Sequence, residues 1–155
     1  MEFRRLREDE IATFVDDVWL PFAREMADLD EYNELAEDVH RDAVAYRRTQ
    51  LLDDDAATFV ADAEGEIVGY AHVAYAETPV VFARGPEATI NEVYVDQDRR
   101  GEGLASELLD RAETWADERD CEYVTLSVNA DNETARKVYE SRGYEVRRLK
   151  MDTQL

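Results

Sequence analysis

A glycine-containing turn in residues 99–106 has the composition of a binding site for an anion. Gly101 and Gly103 permit a tight backbone turn, and the small Ala105 permits a bound group to approach closely. Successive unpaired N–H groups at the start of a helix, beside the two arginines that open the turn, would attract a phosphate. The spacing differs from the dinucleotide fingerprint, which requires a third glycine or an alanine where Ser106 stands, and from a Walker loop. A plain glycine turn with exposed arginines is the alternative.

The first fifty residues predict one strand and two helices. Residues 3–6 are a short strand candidate, and apolar residues then recur at helical spacing over residues 11–19. Pro21 is expected to interrupt or kink this first helix near its end. A second helical stripe runs through residues 35–47.

Strands and helices then alternate to the end of the chain. A β-hairpin is predicted to turn at Glu64-Gly65, and Gly143 has the position of the glycine that follows a helix. The strand-helix-strand unit at residues 89–128 requires a parallel strand pair joined by a right-handed crossover. The fold class is α/β, in the order β-αα-β-β-β-α-β-α-β, and we expect residues 1–155 to form a single domain. The later elements are expected at residues 88–95 (strand), 104–116 (helix), 123–128 (strand), 132–141 (helix) and 144–151 (strand).

The charge balance argues against a polyanionic partner. The chain has 38 acidic and 18 basic side chains, for a net charge of −20. Such a surface repels itself in dilute buffer and is tolerated where salt screens it, which indicates a halophilic protein adapted to a saline cytoplasm. An acidic face that attracts cationic amines is the rival interpretation. Neither interpretation favours nucleic acid as a ligand.

Cysteine, histidine and hydropathy patterns argue against other classes of site. The single Cys121 cannot form an internal disulfide, and His40 and His72 lack the cysteine neighbours of a zinc site, so we expect no metal. No apolar run approaches the length of a membrane span, and the N-terminus leads into acids rather than an export signal. We therefore expect a cytoplasmic protein with no membrane partner.

Two ordered motifs resemble those of one enzyme superfamily. Residues 100–105 read Arg-Gly-Glu-Gly-Leu-Ala and match the Gln/Arg-x-x-Gly-x-Gly/Ala pyrophosphate-binding signature of the GNAT superfamily, the acyl-CoA-dependent N-acyltransferases. Residues 90–95 resemble its splayed central strand, and residues 129–144 resemble its Asn-x-x-Ala-x-x-x-Tyr-x-x-x-Gly-Phe/Tyr element. The resemblance covers residues 88–146 closely and the earlier elements by their order. It implies a mixed, mostly antiparallel sheet whose central parallel strand pair splays apart.

The resemblance also implies where acetyl-CoA would bind. Backbone N–H groups of the glycine turn would hold the pyrophosphate, and the main chain at the end of the central strand would pair with the pantetheine arm like an added strand. Asn132 would contact the pantetheine or a phosphate. The implied cofactor-binding residues are Val93, Tyr94, Val95, Arg100, Gly101, Glu102, Gly103, Leu104, Ala105, Ser106 and Asn132.

Acyl transfer to an amine requires that the ammonium lose a proton and that the departing thiolate gain one. The resemblance implies that Tyr139 points its hydroxyl at the CoA sulfur and is the acid. Glu92 is the candidate base, acting directly or through a water, and we expect it to share a face with Ile90 and Tyr94. The alternatives are a core-facing aromatic for Tyr139 and a solvent-exposed carboxylate for Glu92.

The resemblance therefore implies an N-acetyltransferase that moves an acetyl group from acetyl-CoA to a primary amine by direct transfer. The acceptor stays open between a small amine, an amino-acid or antibiotic-like amine, and a protein N-terminus or lysine. The residues after Gly143 provide one strand where many family members have two, so a homodimer could complete the acceptor site. A non-catalytic acyl-CoA sensor and a protein-interaction module are the alternatives from other functional classes.

Overall fold

The computed structural model describes all 155 residues and contains one five-stranded sheet. The strands lie in the sheet in chain order, and each pairs antiparallel with the next except for the last two, which are parallel. A fifteen-residue helix connects these two parallel strands, so the predicted α/β class and its parallel unit are confirmed. The strands are β1 (Glu2–Arg5), β2 (Ala56–Ala63), β3 (Glu66–Ala76), β4 (Glu87–Val95) and β5 (Tyr123–Leu126).

The helices are α1 (Ile11–Phe14), α2 (Leu20–Leu29), α3 (His40–Leu51), α4 (Leu104–Glu118) and α5 (Glu133–Ser141). A π-helical turn, Val15–Trp19, joins α1 to α2, and Pro21 lies directly after this turn. Proline cannot donate to the carbonyl four residues before it, and the wider spacing of the π turn takes up that irregularity. The expected interruption is present as this π turn, but its predicted position near the helix end is wrong, because the helix continues to Leu29. No helix is both long and apolar enough to cross a membrane.

Helices cover both faces of the sheet. One face packs under α1, α2 and α3, around the buried side chains of Phe14, Val60 and Tyr70. The other face packs against α4, and the apolar face predicted for this helix is buried throughout. That helix face comprises Leu104, Leu108, Ala112, Trp115 and Ala116.

The predicted hairpin between β2 and β3 is confirmed. Glu64 and Gly65 both adopt positive φ, at 55° and 94°, as a type I′ turn requires. The Gly65 N–H donates to Asp62 Oδ1 at 2.6 Å, which fixes the turn.

A one-residue bulge divides β4. His72 of β3 lies opposite Glu92, whereas the next residue of β3, Val73, lies opposite Ile90, so Asn91 is the extra residue. The bulge reverses the alternation of side chains: Ile90 packs on the α4 face and Tyr94 on the opposite face. Glu92 shares its face with Tyr94, and the expectation that it also shares a face with Ile90 is wrong.

The strand predicted over residues 144–151 is absent, and this prediction is wrong. Residues 144–155 have no regular structure, which leaves β5 as the edge of the sheet. The adjacent Arg147 and Arg148 break the alternation of apolar and polar residues, so the segment has no continuous apolar face to bury. Arg147 lies 5.8 Å from the ring centre of Tyr123, on the outer side of β5.

Candidate functional site

The two parallel strands separate halfway along β4. Their pairing runs from Glu87 opposite Tyr123 to Ile90 opposite Leu126 and then stops. Beyond that point β4 pairs only with β3, so its backbone edge on the β5 side is open. The open stretch includes three residues expected to pair with pantetheine, which are Val93, Tyr94 and Val95.

The glycine turn follows the open edge and leads into α4. Gly101 and Gly103 have φ of 86° and 81°, a conformation that side-chain-bearing residues rarely adopt. A Cβ at either glycine would meet no atom within 4 Å, so both face open space. The Glu107 N–H donates to the Gly103 carbonyl at 3.2 Å, and no side chain caps the N–H groups that precede it. The turn therefore presents unpartnered N–H groups at the positive end of the helix dipole.

The arginines of the turn are occupied by contacts within the chain. Arg99 makes two hydrogen bonds to Glu102, at 2.9 and 3.2 Å. Arg100 donates from Nε to the Val95 carbonyl at 3.0 Å and from Nη2 to Glu25 of α2 at 2.8 Å. Of the residues expected to bind the cofactor, Leu104 directs its side chain into the core, so only its backbone is available.

Glu92 lies on the face covered by α3, just beyond the bulge. Its Oε2 atom accepts from Arg47 Nη2 at 2.6 Å and from the Tyr70 hydroxyl at 2.8 Å. The side chain of Glu92 is 17% exposed, and Arg47 is 2% exposed. Glu92 is therefore not a solvated carboxylate at a strand end, because a buried cation and a buried hydroxyl hold one of its oxygens.

The contacts of Glu92 extend into a row of polar side chains under α3. Arg47 Nη1 donates to Gln50 Oε1 at 3.0 Å, and Gln50 Nε2 lies 3.2 Å from His72 Nε2. His72 Nδ1 lies 2.9 Å from Thr58 Oγ1. Burial, and then the charge of Arg47, lower the pKa of His72 to about 4, so this buried residue is neutral near pH 7. We call the set Thr58, His72, Gln50, Arg47, Tyr70 and Glu92 the α3 network.

Tyr139 lies on the other side of the sheet. It is half-buried on α5 and packs against the core cluster that contains Ile90 and Leu109. Its hydroxyl has no hydrogen-bond partner within the chain, and burial raises the pKa of its phenol. Tyr139 and Glu92 therefore face opposite sides of β4.

Asn132 precedes α5 and caps it. Its Oδ1 atom accepts from the Ala135 N–H at 3.2 Å, so this side chain already has a role within the fold. Its amide nitrogen makes no hydrogen bond within the chain and is available to a ligand.

Several residues of the site were not singled out from the sequence. Arg47 lies at the end of the helical stripe predicted over residues 35–47, and a cation on that stripe is the one signal the sequence offers. Two further contacts have no signal in the sequence, because each joins residues far apart in the chain. They are Glu25 of α2 to Arg100 and Asp30, just after α2, to Asn129, both at 2.8 Å.

Comparisons with known proteins agree with this architecture. The model of the acetyltransferase (GNAT) family matches residues 14–144. An uncharacterized N-acetyltransferase of Archaeoglobus fulgidus is 30% identical over 141 residues, which are 91% of this chain and 90% of that protein.

Two solved structures share the fold. A predicted acetyltransferase from Clostridium acetobutylicum, crystallised with acetyl-CoA, has a TM-score of 0.76 at 21% identity and covers 99% of this chain and 95% of its own. An aminoglycoside 6′-N-acetyltransferase from Acinetobacter haemolyticus has a TM-score of 0.74 at 16% identity and covers 100% and 99%.

The fold and the splayed strands are those of an acyltransferase. The chain belongs to the GNAT family of acetyltransferases. Its activity is acyl-CoA-dependent N-acetyl transfer.

Proposed function

We propose that residues 1–155 form one catalytic domain that transfers the acetyl group of acetyl-CoA to a primary amine, with no metal. The observation that carries this proposal is the row of unpartnered N–H groups after Gly101, directly beyond the open edge of β4. A pyrophosphate at the turn and an extended pantetheine along the strand would satisfy both sets of backbone groups. The other end of the cofactor, its thioester, would then lie in the gap between β4 and β5.

The residues proposed to bind acetyl-CoA contribute different groups to different parts of the cofactor. Val93, Tyr94 and Val95 supply main-chain partners for pantetheine, and residues 101–106 supply N–H groups for the pyrophosphate. Arg100 supplies a cation beside the turn, although it must share that cation with Glu25. Asn132 supplies its free amide nitrogen to the pantetheine or a phosphate.

The reaction is direct. The neutral amine nitrogen attacks the thioester carbon, the new C–N bond forms, and the C–S bond breaks with its electron pair on sulfur. Glu92 takes the first proton that the ammonium loses, directly or through a water, and Tyr139 donates its hydroxyl proton to the thiolate. The nitrogen loses its second proton as the amide forms, and a proton returned through solvent restores the Tyr139 phenol. Backbone N–H groups of β4 polarise the carbonyl, and much of the acceleration comes from holding the two reactants together.

The bulge and the splay support these roles for Glu92 and Tyr139. Glu92 faces α3 and Tyr139 faces the α4 side, and the gap between β4 and β5 is the place where groups from both faces meet one substrate. Tyr139 has no internal partner that would compete with the CoA sulfur for its hydroxyl. An acid and a base on opposite sides of the thioester fit attack from one side and departure to the other.

The acidic surface favours a cationic acceptor and a saline cytoplasm. With a net charge of −20, the protein attracts protonated amines at low salt, and molar salt removes its self-repulsion. The open edge of β5 is a place where a second copy could pair and form a homodimer.

Calorimetric titration of acetyl-CoA tests the donor site. In molar KCl we expect a Kd in the micromolar range or below for the wild type, and a loss of at least about 100-fold in Gly103→Asp, because the new carboxylate faces the pyrophosphate. Gly103→Ala is the matched control, since it carries the backbone strain without the charge, and it should lose less. Full affinity in a folded Gly103→Asp protein would exclude the glycine turn as the pyrophosphate site.

A further inference from the structure

Arg47 is a buried cation that the proposed reaction does not use. Its guanidinium packs beside the rings of Phe14 and Tyr70, at 5.6 and 5.5 Å from their centres. Its Nε atom is buried and has no hydrogen-bond partner. Burying a charge with an unsatisfied donor costs stability, and an apolar side chain would fill the space at lower cost. Packing alone therefore does not account for an arginine at this position.

The strongest contact of Arg47 is with Glu92. The distance of 2.6 Å between Arg47 Nη2 and Glu92 Oε2 is that of a charge-assisted hydrogen bond. Gln50 holds the other terminal nitrogen, Nη1, at 3.0 Å, which fixes the plane of the guanidinium. Glu92 Oε2 is thereby fixed in turn, and only Oε1 makes no hydrogen bond within the chain.

We propose that Arg47 is a positioning residue that holds Glu92 through Oε2 and directs its free oxygen, Oε1, toward the acceptor amine. This inference rests on the proposed role of Glu92 as the base. Arg47 itself does not touch either substrate. The group that contacts the acceptor is Glu92, and Arg47 acts through it by setting the orientation of the carboxylate.

The groups that face Glu92 determine the direction of the effect. α3 contributes Arg47, which is cationic, and β3 contributes Tyr70 and His72, which are neutral near pH 7. Arg47 is thus the one cation in contact with the carboxylate. Removing it leaves the carboxylate without a cationic partner, so the acid limb of a rate that depends on a charged Glu92 should move to higher pH.

The pH profile of kcat/KM tests this directly. In Arg47→Gln the acid limb of the profile should move up by at least about one pH unit, whereas Arg47→Lys should restore most of the wild-type profile. Arg48→Gln is the matched control, because it removes the same charge from the neighbouring exposed position on α3, and its acid limb should stay in place. An unmoved acid limb in folded Arg47→Gln protein, or an equal shift in Arg48→Gln, would overturn the inference.

A second variant covers the case in which Arg47→Gln does not fold. Tyr70→Phe removes only the second donor to Oε2, so Arg47 should hold the carboxylate nearly unaided. In Tyr70→Phe the acid limb of kcat/KM should therefore stay within about half a pH unit of its wild-type position. A shift of a full pH unit or more would mean that Tyr70, and not Arg47, holds the carboxylate, and would overturn the inference.

Glu92→Gln separates this inference from the proposed function. If Glu92→Gln leaves both the rate and the acid limb unchanged, the role of Glu92 as the base is wrong. If Glu92→Gln abolishes the acid limb and Arg47→Gln does not move it, only the role of Arg47 is wrong.

Discussion

The glycine turn and the α3 network differ in whether their polar groups have hydrogen-bond partners within the chain. At the turn, backbone N–H groups lack partners and face open space. In the α3 network, every member contacts another through its side chain, across α3, β2, β3 and β4. An unpartnered group is ready for a ligand, whereas a partnered group holds something else in place. The proposed donor end of the site therefore consists of unpartnered backbone N–H groups, and the proposed acceptor end consists of hydrogen-bonded side chains.

Tyr139→Phe gives the largest effect expected from this contrast. The Tyr139 hydroxyl has no partner in the chain, as at the glycine turn, so its loss should leave folding and acetyl-CoA affinity nearly unchanged and lower kcat by about 100-fold. Steady-state kinetics and calorimetry measure the two quantities. Tyr144→Phe is the control, because the Tyr144 hydroxyl already donates to Glu113 at 2.9 Å. Equal kcat in wild type and Tyr139→Phe would exclude Tyr139 as the acid that protonates the thiolate.

The paired state of the α3 network predicts a pH-dependent stability. Because the pKa of His72 is about 4 in the folded chain and near 6.5 in the unfolded chain, the unfolded state binds the proton first as pH falls. The free energy of unfolding should therefore decrease between pH 6.5 and 4, by about 2 kcal/mol from pH 7.5 to pH 5. Urea unfolding in molar KCl measures it.

The other histidine provides the control for this prediction. His40 lies near the surface, 2.9 Å from Asp16, and His40→Gln should retain the decrease. His72→Asn should flatten it. A wild-type stability that does not change over this pH range would show that His72 is not held neutral by the network.

The contact between Glu25 and Arg100 predicts the smallest effect. Glu25→Gln releases the Arg100 guanidinium for the pyrophosphate, so acetyl-CoA should bind about 2- to 5-fold more tightly at low salt, as for a partly exposed ion pair. The gain should shrink in molar KCl. Glu31→Gln changes the net charge equally at an exposed position and should not alter affinity by this amount. Weaker binding in Glu25→Gln would mean that the pair supports the donor site instead of competing with it.

The contrast also explains what the sequence could predict. The glycine turn, the hairpin at Glu64-Gly65 and the face of α4 depend on residue type and spacing within short segments, and these predictions are confirmed for the fold. The partners of Glu92 come from residues 45 and 22 positions away along the chain, which local periodicity does not connect. The roles given to the turn residues, Asn132, Tyr139 and Glu92 stay predictions.

Two of the wrong predictions, the face shared by Ile90 and Glu92 and the strand after Gly143, failed for reasons that local sequence patterns do not contain. The prediction that Ile90 and Glu92 share a face assumed strict alternation of side chains. The bulge at Asn91 adds one residue, which only the register with β3 reveals. The prediction of a strand after Gly143 assumed that its apolar residues pack against another element, but Leu149 and Met151 are exposed. In both cases the decisive information lies in a neighbouring segment.

Because of the bulge at Asn91, side chains at even-numbered positions of β4 face different layers before and after it. Before it, even-numbered side chains of β4 support the α4 layer; after it, even-numbered side chains belong to the acceptor side. If the strand kept Asn91 but ran without the bulge, Glu92 would share the face of Ile90 and point away from Arg47, and every later side chain in the strand would turn with it. The bulge is one residue long, and this length determines which face of the sheet the proposed base occupies.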